Sequence, residues 1–139
     1  MGIWRTLLTG AVVAGLLRLW GVLSAAADAP NSVGLDSRMW KVQRIASVSV
    51  MESSGITLRF SGAGQLRGHA GCNDIRGRYA VRRTRLYLYG LSSSFITCEA
   101  RVAAQERELL LLLSRVVAYR IEAGPLVLVT DQGDELIAR

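Results

Sequence analysis

Few side chains in this 139-residue sequence are equipped for chemistry: one histidine, two cysteines, and scattered serines and carboxylates. Cys72 lies three positions from His69, a spacing that would let an imidazole activate a thiolate. A second cysteine, Cys98, offers a simpler fate, a Cys72–Cys98 disulfide, if the chain is exported. Two buried free thiols are the alternative. A metal site fits less well, because one His and two Cys fall short of a recognised zinc spacing. Ser92, Ser93 and Ser94 lack the G-x-S-x-G context, and there is no second His to act as their base. The carboxylates form no evident facing pair of the kind that glycoside hydrolysis requires. The run Gly68-His69-Ala70-Gly71-Cys72-Asn73 superficially resembles a phosphate loop, yet it lacks the Lys and Ser/Thr of a P-loop and is not followed by a helical pattern. These residues predict no catalytic site, no metal and no cofactor.

Structural roles suit the same residues better. Gly71 permits close backbone approach beside the cysteine, and Asn73 is expected to hydrogen-bond its own turn. Glu106 stands in the middle of an apolar helical stripe with Val102, Leu109, Leu110 and Leu113 around it. A carboxylate turned toward a core must be hydrogen-bonded, paired or protonated, and an arginine from the strands is the expected partner; the alternatives are that Glu106 lines a small binding cavity or that a rotated helix leaves it in solvent. Arg76, Arg78, Arg82, Arg83 and Arg85 form a basic segment within ten positions. A soluble basic face with no specific partner is the first reading of such a segment; in an exported chain an envelope protein, anionic lipid or another envelope polyanion is the reachable partner rather than nucleic acid.

The elements that would position these residues follow from periodicity. Trp40 to Val50 reads as an opening strand broken near Arg44, and Ile56 to Phe60 alternates with Ile56, Leu58 and Phe60 inward. Ser61 to Gly64 is a turn, and Gln65 to His69 a weaker strand. Arg78 to Val81 is a short strand, Arg82 to Thr84 a turn, and Arg85 to Tyr89 a strand that either face could bury, broken by Gly90 to Ser94. The period changes at Ala100, where helix formers dominate to about Val117, with Thr97 or Cys98 as the cap and Glu99 beside the helix N-terminus. The five leucines Leu109–Leu113 exceed one stripe, so Leu111 or Leu112 is expected outside it. Val116 to Ile121, Leu126 to Val129 and Glu135 to Ala138 then form a terminal meander, turned at Ala123-Gly124-Pro125 and Asp131–Asp134. The expected fold class is α+β: a curved antiparallel sheet or partly open barrel packed on one helix.

Ahead of this unit stands a different kind of sequence. Arg5, the apolar run Thr6–Leu17, Arg18, Leu19–Leu23 and Ser24-Ala25-Ala26-Ala27 read as a secretory signal over residues 1–27, cut after Ala27, with a retained anchor as the alternative. Residues 28–38 read as a tether, leaving a domain over residues 39–139. The net charge is +6 over the whole chain, and it stays positive without the N-terminal segment. A periplasmic or secreted location follows from that reading, or a membrane-tethered one if the segment is kept.

The ordered set of Trp40, Ile45, Ile56–Phe60, Gly68-x-x-Gly71-Cys72-Asn73, Gly77, Tyr79, Thr97, Cys98, Glu106–Leu113, Val117–Ile121, Leu126–Leu128, Asp131, Gly133 and Leu136 resembles the META-domain family of HslJ-type bacterial heat-shock proteins. The resemblance spans about residues 39–138. It implies a non-enzymatic cell-envelope protein concerned with stress tolerance or with binding a hydrophobic or anionic partner, without a cofactor. Two departures stand out: no cysteine precedes Cys72 to carry a lipid, and the leucine run is heavier than the family pattern needs. A periplasmic inhibitor presenting Arg82–Arg85 to an enzyme's cleft, or an undetected hydrolase, are the competing functions.

Overall fold

Strands form wherever apolar residues alternate, and one helix forms over the leucine-rich stretch, in the computed structural model, which describes residues 34–36, 38–121 and 123–139. The expected signal, and residues 28–33 and 37 of the expected tether, lie outside the described residues. In chain order come β1 (Met39–Ile45), β2 (Val48–Ser49), a 3-10 turn (Glu52–Ser54), β3 (Thr57–Ser61), β4 (Gln65–His69) and β5 (Asp74–Arg82). They are followed by β6 (Arg85–Ser93), α1 (Ala100–Ser114), β7 (Val116–Ile121), β8 (Leu126–Thr130) and β9 (Glu135–Ala138).

Every pairing is antiparallel, and β9 returns to β1 with Val42 opposite Ala138. Eight strands therefore close into a barrel in the order β1-β3-β4-β5-β6-β7-β8-β9, with β2 a short flap on the end of β1. The break expected near Arg44 is a register shift between Val42 and Arg44 against β9, but the strand expected to run to Val50 ends at Ile45, where Ala46 takes φ +50° and turns the chain back into antiparallel β2. Alternation drives the closure. Leu58, Phe60, Leu66, Ile75, Tyr79, Leu86, Leu128 and Leu136 point inward and are buried, while Arg59, Arg67, Arg76 and Arg78 point out. Each large apolar side chain removed from water contributes roughly 1.5–3 kcal/mol. Phe60 and Tyr79 meet edge-to-face at 5.2 Å, and the Tyr79 hydroxyl donates to Ser61 O at 2.6 Å. Burial, with Asp36 nearby, raises the pKa of Tyr79 above its ordinary value.

Trp40 anchors the entry to the barrel. It is fully buried, its Nε1 donates to Leu35 O at 2.8 Å, and the Arg38 guanidinium lies over its ring at 4.4 Å. Leu35, within the stretch read as a tether, is itself fully buried.

Three local readings need correction. β5 runs over nine residues rather than the four of Arg78–Val81, because inward Ile75 and outward Arg76 already continue the alternation. β6 does not break at Gly90. That residue takes φ +62° and absorbs one extra position between the Arg76–Ser92 and Arg78–Tyr89 pairs, so the strand continues to Ser93. The ambiguity of Arg85–Tyr89 resolves with Leu86 inward and Tyr87 and Tyr89 exposed. The helix begins after Glu99, with no side-chain cap from Thr97 or Cys98, and ends at Ser114.

α1 links β6 to β7, which share one register pair, Arg85–Ala118. It packs against β6 and β1, strands on opposite sides of the eight-strand ring, so it lies across one mouth of the barrel. Glu106, Leu109, Leu112 and Leu113 face the core, and Leu111 is the exposed leucine.

Candidate functional site

The glycine–cysteine–asparagine corner sits at the mouth covered by the helix. Gly68 brings the β4 backbone against β3, where a Cβ would collide with Thr57 O. Gly71 takes φ +108°, a conformation that L side chains rarely adopt, and lies under Val102 of the helix. Cys72 and Cys98 are joined by the expected disulfide, with Cα atoms 6.1 Å apart. The corner is thereby fastened to the segment that enters α1.

Asn73 and Glu106 complete the fastening, in a way the sequence did not reveal. Glu106 is buried, as its place in the stripe predicts, but its partner is no arginine. Glu106 Oε2 accepts the Asn73 backbone N–H at 3.1 Å, and Oε1 accepts Asn73 Nδ2 at 3.0 Å. Asn73 correspondingly does not spend its side chain on its own turn. Its Oδ1 accepts Ile96 N–H at 2.8 Å and the Ser94 hydroxyl at 3.0 Å, while its backbone oxygen receives Ala70 N–H at 2.7 Å. Three segments remote in sequence thus meet on one side chain. Trp40 lies apart from this corner, at the start of β1.

Catalytic geometry does not assemble from these groups. His69 Nδ1 bonds Asp74 Oδ1 at 3.0 Å on the exposed outer wall. The Ser94 hydroxyl is taken up by Asn73 and by Asp74 N–H, and among the described residues no serine hydroxyl bonds His69. Among the described residues no cluster of His, Cys, Asp and Glu is placed to hold a metal ion.

Two clefts flank the helix. One, of about 420 Å³, lies between α1 and the β1–β2 turn, with Ile45, Val48, Val50, Met51 and Ala104 as apolar lining and Arg101 and Glu108 beside them. Gln105 in its wall accepts Met51 N–H through Oε1 at 3.0 Å, leaving its buried Nε2 without a protein acceptor. The second, of about 630 Å³, lies between α1 and the end of β6, where Phe95 and Leu111 are exposed. These clefts escaped the sequence reading. The surplus leucine at 111 was the one signal for either.

The basic segment divides on folding. Arg82, Arg83 and Arg85 go to the β5–β6 turn, at the opposite end of β5 from the glycine–cysteine–asparagine corner, while Arg76 and Arg78 lie on the outer wall. There Arg76 stands opposite Arg67, and Arg67 opposite Arg59.

Comparison with known proteins places this architecture. The profile of the META domain matches residues 33–139. The chain belongs to the META-domain family. No curated protein matches the sequence significantly. Among solved structures, the META domain described here is similar to an NMR structure of a protein from Burkholderia xenovorans, at 25% identity and TM-score 0.62, covering 75% of this chain and 81% of that one. A second NMR structure aligns at 16% identity and TM-score 0.62, covering 76% and 90% of the two chains. A crystal structure of a DUF4847 family protein from Bacteroides vulgatus aligns at 11% identity and TM-score 0.56, covering 77% and 94%. The last two likenesses establish the fold alone. Among the described residues no helix of this META domain is long and apolar enough to cross a membrane.

Proposed function

We propose that this META domain is an exported, non-catalytic protein of the cell envelope that binds a hydrophobic group in the cleft between α1 and the β1–β2 turn. The cleft itself carries the reading. Its volume of about 420 Å³ falls in the range of small-molecule sites, its lining is mainly apolar, and polar groups stand beside that lining. Val48 is 66% exposed there, an apolar surface left to solvent on a flap made of two strand residues. Export is supported by the disulfide, which persists in oxidising compartments, and by the signal-like residues 1–27. The non-catalytic reading is supported by the engagement of both cysteines with each other and of His69 with Asp74. Sequestering apolar molecules released in a damaged envelope would give such a protein its part in stress tolerance.

Titration with an apolar naphthylamine dye tests the site. Saturable fluorescence enhancement is expected, and Ala104→Trp, which fills the cleft from the helix side, should weaken it on the order of ten-fold, or about 1.4 kcal/mol. The thermal midpoint should stay unchanged, because Ala104 is exposed. Equal dye binding by the two proteins would move the site elsewhere, and absence of saturable binding would reject the reading.

A further inference from the structure

We propose that the outer wall formed by β3, β4 and β5 is a docking face for an anionic membrane surface, gripped by Arg59, Arg67, Arg76 and Arg78. Register builds this face. Arg59 pairs with Arg67 and Arg67 with Arg76, so three guanidinium-bearing residues stand side by side on adjacent strands. Strand spacing sets their backbones over about 10 Å. Arg78 follows two positions along β5, on the same outward side. All four are exposed, and no carboxylate among the described residues pairs with any of them. The one acid on strands β3 to β6 is Asp74, already bonded to His69.

Like charges directly opposite one another weaken a sheet. A wall that repeats the arrangement twice, with no acid interposed, is built for an external negative partner rather than for its own stability. The apolar neighbours say which partner. Tyr89 is in register with Arg78, Met39 with Arg59, and Tyr87 lies two positions from Tyr89; these three are 49%, 55% and 43% exposed respectively. Half-exposed tyrosines beside arginines match the headgroup layer of a bilayer, where amphipathic rings and cations both find partners. A purely aqueous polyanion would leave them idle. The sheet wall also presents a broad surface: Arg59, Arg67 and Arg78 line none of the clefts described above. The site is independent of the helix-side cleft, so either can fail without the other.

The test uses protein expressed as the full chain and purified from the envelope in its natural processed state. It is sedimented with vesicles of phosphatidylcholine alone and of phosphatidylcholine mixed with phosphatidylglycerol, at low and high salt. Any retained apolar N-terminal segment adds to both vesicle types, so the ratio between them reports the arginines. Preference for anionic vesicles is expected at low salt and should collapse at high salt. Changing Arg59, Arg67 and Arg76 together to Gln should reduce that preference on the order of 100-fold, at about five-fold per arginine near an anionic surface. The same triple variant should melt no lower than the parent, since it relieves like-charge opposition. Changing Arg82, Arg83 and Arg85 to Gln provides the comparison and should have a much smaller effect. Equal losses from the two triple variants would mean net charge alone and overturn the docking face. So would equal binding to neutral and anionic vesicles, or binding of soluble inorganic polyphosphate by a protein that ignores anionic vesicles.

Discussion

Asn73 joins a strand entry, the β6–α1 segment and a buried helix carboxylate through one amide. Its Nδ2 donates to Glu106 while its Oδ1 receives Ile96 N–H and the Ser94 hydroxyl. The pattern suits an amide and no smaller side chain, because both a donor and an acceptor are used in opposite directions. Removing either member strands the other's groups in a buried site, and each such group costs about 1–3 kcal/mol. Asn73→Ala and Glu106→Ala are therefore each expected to lower unfolding free energy by roughly 2–4 kcal/mol in denaturant melts, with the double variant losing far less than the sum. Additive losses would show that the two side chains do not act together. Asn73→Asp should be no milder than Asn73→Ala despite its near-identical shape, since it sets a second carboxylate against Glu106.

The elements were legible where one rule decided them. Strict alternation placed β3 and β4 almost to the residue, and the shift to helix formers at Ala100 placed α1. Failures came where two rules competed. Gly90 reads as a strand breaker, but a single positive-φ residue can be absorbed as a bulge, and the pairing of Arg76 with Ser92 keeps β6 going beyond it. The leucine run was ambiguous because five in succession must encircle a helix, and only packing on the barrel mouth selects among them. It buries Leu112 to 6% and leaves Leu111 at 60%. Leu112→Ala should thus cost about 2–5 kcal/mol, while Leu111→Ala should stay within about 0.5 kcal/mol, as read from chemical denaturation. Similar losses at both would mean a helix rotated from this position. The candidate sites were less legible than the elements. Arg59 and Arg67 are eight positions apart and look unrelated until the tight Ser61–Gly64 turn is recognised as setting them opposite each other. The partner of Glu106 was hidden for a related reason: charge suggested an arginine, whereas the fold delivered Asn73 through the disulfide-linked corner.

On the scale of the whole molecule, the disulfide and the ring closure do different things. The Cys72–Cys98 bond spans 26 positions and ties the β4–β5 corner to the helix entry. Closing a loop of that length is worth roughly 3.5 kcal/mol on the chain-entropy account. Reduction is expected to lower stability by about that amount in urea, against a total of 5–15 kcal/mol typical of such domains. A reduced protein with unchanged midpoint and slope would show the bond to be dispensable.

Ring closure has a consequence in time. Almost every strand pairs with its immediate successor, so hairpins can assemble in the order in which the chain is made, but β1 finds its second neighbour only in β9. A nascent chain carries β1, with its buried Trp40 and Val42, long before the residues that cover its open edge exist. Loop-closure entropy for that contact is met near the end of the process and not spread along it. Until then the paired strands form an open sheet with β1 at a free edge; once β9 docks, the same polypeptide is a closed ring. If the chain is exported as proposed above, that late closure acts as a timer, setting when the ring locks.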